Sequence, residues 1–175
     1  MTVAVSILFF KKGLLALPPL PFAGSFRPRL ETKMLARTEL DPQEALVCTM
    51  VLVGAAETRG ITDREIGVMA TLVQTLPAFE GFSNEQLQHA IDATLSLLQE
   101  DDGLAHAGRL IREALDPRLR ETAYTLACEV VAADRVHGQA ILQMLEFIGA
   151  ELKLDTLVVS AIERGTRARY QRVGR

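Results

Sequence analysis

Ala55-Ala56-Glu57-Thr58-Arg59-Gly60-Ile61-Thr62-Asp63-Arg64-Glu65-Ile66 is the stretch around which the chain is organised. Ahead of it, the run from Ala45 to Ala56 is nearly all apolar. Behind it, Ile66, Met69, Ala70, Val73 and Leu76 recur on one helical face. Arg59-Gly60 breaks the first run. Thr62-x-x-Glu65 is a capping box, in which each residue satisfies a backbone or side-chain group of the other at a helix start. The stretch therefore reads as helix, acidic turn, helix. A leading helix that is apolar on most sides must be buried by its neighbours.

The same device returns. One offset lays Glu44 on Glu121, Val53 on Val130, Ala55-Ala56 on Ala132-Ala133 and Glu57 on Asp134. Past the turn the second copy is shorter, and Ile61 meets Val136, Ile66 meets Ile141, Met69 meets Met144 and Leu72 meets Phe147. The apolar phase and the acid at the turn survive where identity does not. This predicts a duplicated helical hairpin, with the third and fourth helices as the connecting pair. Neither apolar leading helix can be buried inside its own hairpin. Packing the two leading helices together solves that problem.

Between these copies the helix punctuation is clear. Asp41-Pro42-Gln43-Glu44 offers an N-cap, a first-turn proline and a capping-box glutamate. Ser83-x-x-Gln86 opens a third helix with Leu87, Ile91, Leu95 and Leu98 inward. Asp101-Asp102 opens a fourth on Leu104, Ala107, Leu110, Ile111 and Leu115. Asp116-Pro117 opens a fifth that grows more apolar towards Ala133. The sixth spans His137 to Leu152 on Ile141, Met144, Leu145 and Ile148. Asp155 caps a short seventh ending near Gly165. No strand is expected. The predicted fold is all-α: a compact bundle of about seven helices built from two related helical hairpins.

Composition agrees. The 175 residues suit one ordinary domain, 49% are hydrophobic and 23% charged. Aromatics are 5% with no Trp, so the core is built from Ala, Leu, Val, Ile and Met. Residues 41–163 carry eight Lys/Arg against twenty Asp/Glu, whereas residues 164–175 carry five Arg and no acid. An acidic body is a poor nucleic-acid binder and attracts cations or basic partners. Cys48 and Cys128 sit in apolar helical runs and read as small core residues in a reducing cytoplasm.

Residues 1–40 differ from the rest. Lys11-Lys12 and Pro18-Pro19-Leu20-Pro21 interrupt the apolar runs, so no segment approaches the ~20 residues of a membrane helix. The positive charges follow the apolar run, the wrong order for a secretory signal. Three readings of this segment stand side by side, a flexible arm, a weak membrane-surface anchor or a mistaken start, and the last is favoured because Met34, a possible start codon, precedes the first domain-like residues. The domain then spans 41–165, with 166–175 as a basic tail.

An apolar helix ending in Ala-Ala-Asp/Glu, a short Gly-bearing turn, a β-branched residue and then Thr-x-x-Glu resembles the tellurite-resistance TerB family. Ala127-Cys128-Glu129-Val130-Val131-Ala132-Ala133-Asp134 resembles a second such unit. The likeness covers roughly residues 41–165. It implies a bundle of about seven helices and a link to tellurite resistance and stress response. It also implies a metal role for the acidic residues, and a protein partner that could sit at the membrane face. The match has departures. The family's turn carries Asp-Gly with a Glu seven residues after the Asp; here Glu57 replaces the Asp, Gly60 is displaced and Glu65 comes eight later. Asp134 keeps the acid of the second turn, but Ala140 stands where the Glu would be.

Two functional readings follow. In one, an acidic helical module binds a protein partner. In the other, Glu57, Asp63, Glu65 and Asp134 hold a Ca²⁺ or Mg²⁺ ion through hard oxygen ligands. Helix capping competes for the same carboxylates: Glu65 is the capping-box residue, and Asp63 suits a helix N-terminus. His89, His106 and His137 have no zinc spacing. No phosphate loop, nucleophile elbow or Cys–His motif is present, so a non-enzymatic chain is expected. Glu129 stands alone in an apolar stretch, either exposed or as a buried acid paired with an Arg.

Overall fold

The computed structural model describes residues 39–56, 60–133 and 138–173. The expectations for residues 1–38, including Met34, and those for Glu57, Asp134 and His137 lie outside them. Among the described residues there are seven α-helices, one 3₁₀ turn and no strand. The helices are α1 (Pro42–Gly54), α2 (Asp63–Thr75), α3 (Asn84–Leu97), α4 (Gly103–Ala114), α5 (Pro117–Ala133), α6 (Gln139–Glu151) and α7 (Thr156–Arg169). The 3₁₀ turn, Pro77–Phe79, sits between α2 and α3.

Most helices start where local chemistry satisfies their exposed N–H groups. Asp41 Oδ1 accepts from the Glu44 amide at 2.9 Å, and the Asp41 amide donates to Glu44 Oε2 at 3.1 Å. The Ser83 amide donates to Gln86 Oε1 at 2.8 Å in a second reciprocal box. Asp116 Oδ1 accepts from the amides of Arg118 and Leu119, and Asp155 Oδ1 from that of Leu157. Such caps are worth about 1 kcal/mol each. They mark where these helices begin.

Every residue of α1 from Ala45 to Gly54 is buried, including Thr49, whose hydroxyl donates to the Ala45 carbonyl at 2.8 Å. The cause is position. Among the described residues α5 lies along α1 in the most extensive helix pair, and α2, α3, α4 and α6 contact its other sides. Leu46, Met50, Leu52, Leu126 and Ile148 are among the fully buried side chains. The two leading helices of the predicted hairpins are thus packed on each other at the centre.

The duplication extends further than the expected hairpins. α3 packs on α1 as extensively as α7 packs on α5, and each second helix, α2 or α6, touches the other half's leading helix. Each half is therefore a three-helix unit, and α4 alone connects them. The register that lays the cap Ser83 on Asp155 lays Thr94 on Thr166, and both threonines are buried. Loop shortening between the second and third helices hides this third element from a fixed-offset comparison.

One boundary and one buried face differ from expectation. α7 continues through Arg169, so Arg164, Arg167 and Arg169 belong to a helix instead of a tail. Cations in a last turn favour this, because they face the negative end of the helix dipole. In α3 the interior residues are Leu87, Ala90, Ile91, Thr94 and Leu97, whereas Leu95 and Leu98 are only half-buried. Stepping by four residues overshoots a 3.6-residue turn, and the expected stripe drifts off the buried face.

Candidate functional site

At the first acidic turn, Glu65 is buried and Asp63 is exposed. Glu65 Oε2 accepts from the Thr62 amide and from the Thr62 hydroxyl, both at 2.7 Å. The Glu65 amide donates back to Thr62 Oγ1 at 3.3 Å. Its other oxygen faces α1: a Cβ built on Gly54 would lie 3.4 Å from Glu65 Oε1. One oxygen of this carboxylate is thus already committed to the start of α2. Glu57 and Asp134 lie outside the described residues, so the four expected ligands are not seen together. Among the described residues, no three His, Cys, Asp or Glu side chains converge as a metal site would require. His89 is exposed on α3, and His106 stands 3.8 Å from Glu100.

A second polar cluster lies between α5 and α7. Glu129 is buried at 4% exposure, so the paired-acid alternative holds. Its Oε2 accepts from the Tyr170 hydroxyl at 2.5 Å, and its Oε1 lies 3.4 Å from the Arg169 guanidinium. One turn back along α5, the Tyr124 hydroxyl donates to Glu163 Oε1 at 2.8 Å. Burial first, and then these carboxylates, hold both phenols in the neutral form. Tyr170 is pushed up to about 12, and Tyr124 rises further still. Burial, with Glu163 and Glu129 nearby, also pushes the Cys128 thiol up to about 12. A buried, protonated thiol of this kind is a packing residue and a poor nucleophile. Sequence reasoning singled out Glu129 but missed Tyr124, Glu163, Arg169 and Tyr170. The only linear signal was a tyrosine among the arginines of the C-terminal segment.

Shallow grooves are also present among the described residues. One, of about 540 Å³, follows α7 past Ser160, Glu163, Arg164, Arg167, Ala168 and Gln171. Another, of about 310 Å³, lies where the N-termini of α1 and α3 meet, lined by Asp41, Glu44, Phe82, Glu85, Gln86 and His89. Gln43 steadies that corner by donating to the Ala78 and Glu80 carbonyls, both at 3.1 Å. The outer acids here are exposed: Glu80 before α3, and Glu85 and Asp92 on it. No helix among the described residues is long and apolar enough to cross a membrane.

No family model, curated protein or solved structure matches the chain. Its likeness to any family therefore rests on the residues quoted above.

Proposed function

We propose that this chain is a TerB-like helical module of the tellurite-resistance and stress-response type, which works by binding a partner protein through its acidic outer surface. The observation that supports this reading best is the doubled unit, with two leading helices packed at the centre and an acid at the described turn. The exposed carboxylates of Glu80, Glu85 and Asp92 give a basic partner surface something to meet. The Glu65 carboxylate serves the fold in this reading, because its Oε2 is occupied by Thr62.

The test is capture of partners from native cells on the tagged chain, with and without EDTA. Retention of one specific protein in both conditions is expected. Its loss on reversing Glu80, Glu85 and Asp92 to Lys, with helical content unchanged, would place the contact on that face. Capture that needs divalent cations and ignores the reversal would overturn the reading.

A further inference from the structure

The two halves of the molecule hold their third helices by different chemistry. In the first half α3 buries five residues, namely Leu87, Ala90, Ile91, Thr94 and Leu97. In the second half α7, in the equivalent place, buries only Thr166. Under the register that relates the halves, Leu87, Ala90, Ile91 and Leu97 fall on Val159, Ile162, Glu163 and Arg169, of which the first three are half-buried and Arg169 is exposed. Glu129 of α5 stands where α1 has Leu52, and Tyr170 stands where the first half has Leu98. Tyr124 likewise replaces Val47, and Glu163 replaces Ile91. Positions that hold aliphatic residues in the first half thus hold the partners of two Tyr–Glu hydrogen bonds in the second, at 2.5 and 2.8 Å.

This exchange changes how the helix is held. Aliphatic packing is lost only when the interior is exposed to water, and each buried side chain contributes about 1.5–3 kcal/mol. A hydrogen bond is exchanged for one with water on opening, so its net contribution is smaller, near 1 kcal/mol, or somewhat more to a charged acceptor. Near the outer end of α7 the partners are also partly wet: Tyr170 is 39% exposed, and the Arg169 side chain 71%.

We infer that α7 is a releasable strap, which lifts from α5 and α6 as a unit while the rest of the bundle stays folded, with the Tyr124–Glu163 and Tyr170–Glu129 pairs as its two fastenings. Beneath it lie Tyr124 and Cys128, one turn apart on α5, and Gly149 of α6. A Cβ built on Gly149 would lie 3.5 Å from Tyr124 and 3.7 Å from Val159 of α7, so all three helices meet there. Opening exposes this face, and it exposes Cys128 in particular. Cys48, buried in α1, is outside the strap and reports on the whole bundle. The inference does not depend on the identity of a partner.

The two thiols make the test direct. The full chain is labelled with a thiol reagent under native conditions, each site is quantified by peptide mass spectrometry, and amide hydrogen exchange is followed in parallel. Cys128 is expected to react at least about tenfold faster than Cys48, and α7 amides to exchange faster than those of α3. Tyr170→Phe, which removes one fastening and little else, is expected to speed Cys128 about fivefold and leave Cys48 unchanged. Glu129→Leu combined with Tyr170→Leu copies the first half and is expected to slow Cys128 below the wild-type rate. Equal rates at both thiols in the wild-type chain, with α7 as protected as α3, would overturn the inference. So would a Tyr170→Phe variant in which both thiols accelerate together, or a leucine pair that leaves Cys128 as fast as before.

Discussion

Gly103→Ala is a perturbation for which helix propensity and packing predict opposite signs. Gly103 is the first residue of α4. Alanine is the better helix former by about 0.8–1.0 kcal/mol in a helix interior, so propensity alone favours the change. The structure reverses this. The chain leaves α3 through a tight turn in which the Glu100 amide donates to the Leu97 carbonyl, and the Gly103 amide to the Glu100 carbonyl. Asp102 takes a left-handed conformation, φ 59°, to complete the turn. The turn folds back so closely that a Cβ on Gly103 would lie 2.1 Å from the Leu97 carbonyl oxygen and 3.1 Å from Leu98 Cα. Both obstacles are backbone, so no side-chain rotation relieves the clash. Overpacking of this kind costs about 1–3 kcal/mol and exceeds the propensity gain. Urea unfolding is expected to show a net loss of about 1–2 kcal/mol at unchanged m, and heating a Tm lower by several degrees. Gly67→Ala in α2 and Gly165→Ala in α7 are the controls, since a Cβ at either position meets nothing within 4 Å. Each is expected to stabilise by a few tenths to about 1 kcal/mol. If Gly103→Ala stabilises the chain as much as the controls do, the close turn between α3 and α4 is wrong.

Three other outcomes are expected. Leu52→Ala, at a fully buried position of α1, should cost about 2–5 kcal/mol in denaturant unfolding; a cost under 1 kcal/mol would mean that α1 is not central. Alkaline titration should destabilise the fold, because Cys128 is raised from 9.0 to about 12 and the folded chain therefore keeps a proton that the unfolded chain gives up. That contribution is complete below about pH 9 and is lost as pH rises towards 12, at no more than about 1.4 kcal/mol per pH unit. Cys128→Ala should remove this part of the slope, and an unchanged slope would place the titration elsewhere. Millimolar Ca²⁺ or Mg²⁺ should leave the thermal midpoint where it is. A saturable rise of several degrees that disappears in Glu65→Gln would favour the cation reading over the partner reading.

What could be read from the linear chain was the part decided locally. The boxes at Asp41, Thr62 and Ser83 form between residues three apart, so their sequence spacing is enough to place three helix starts. α1 was legible for another reason: a helix without a polar face has only one place to go. The stripe on α3 held at Leu87 and Ile91 but drifted at Leu95 and Leu98, because a four-residue step suggested a face that the helical turn does not keep. Of the strap only Glu129 was visible, as a lone acid in an apolar stretch. Tyr124 and Glu163, and likewise Glu129 and Tyr170, meet only after α7 has folded across α5, and no spacing rule links residues so far apart. The acidic turn was legible in composition but ambiguous in role. A carboxylate three residues after a threonine looks the same whether it caps a helix or waits for an ion, and only the bonds from Thr62 favour the cap.

The account depends most on α1 and α5 lying side by side. Methyl-to-methyl NOEs in a sample labelled at Ala, Ile, Leu, Met and Val methyls measure this directly. The expected result is a continuous series of contacts linking the Ala45–Val53 methyls to those of Ala123–Val130. A spectrum in which the α1 methyls see only those of α2 and α3, and none on α5, would contradict it.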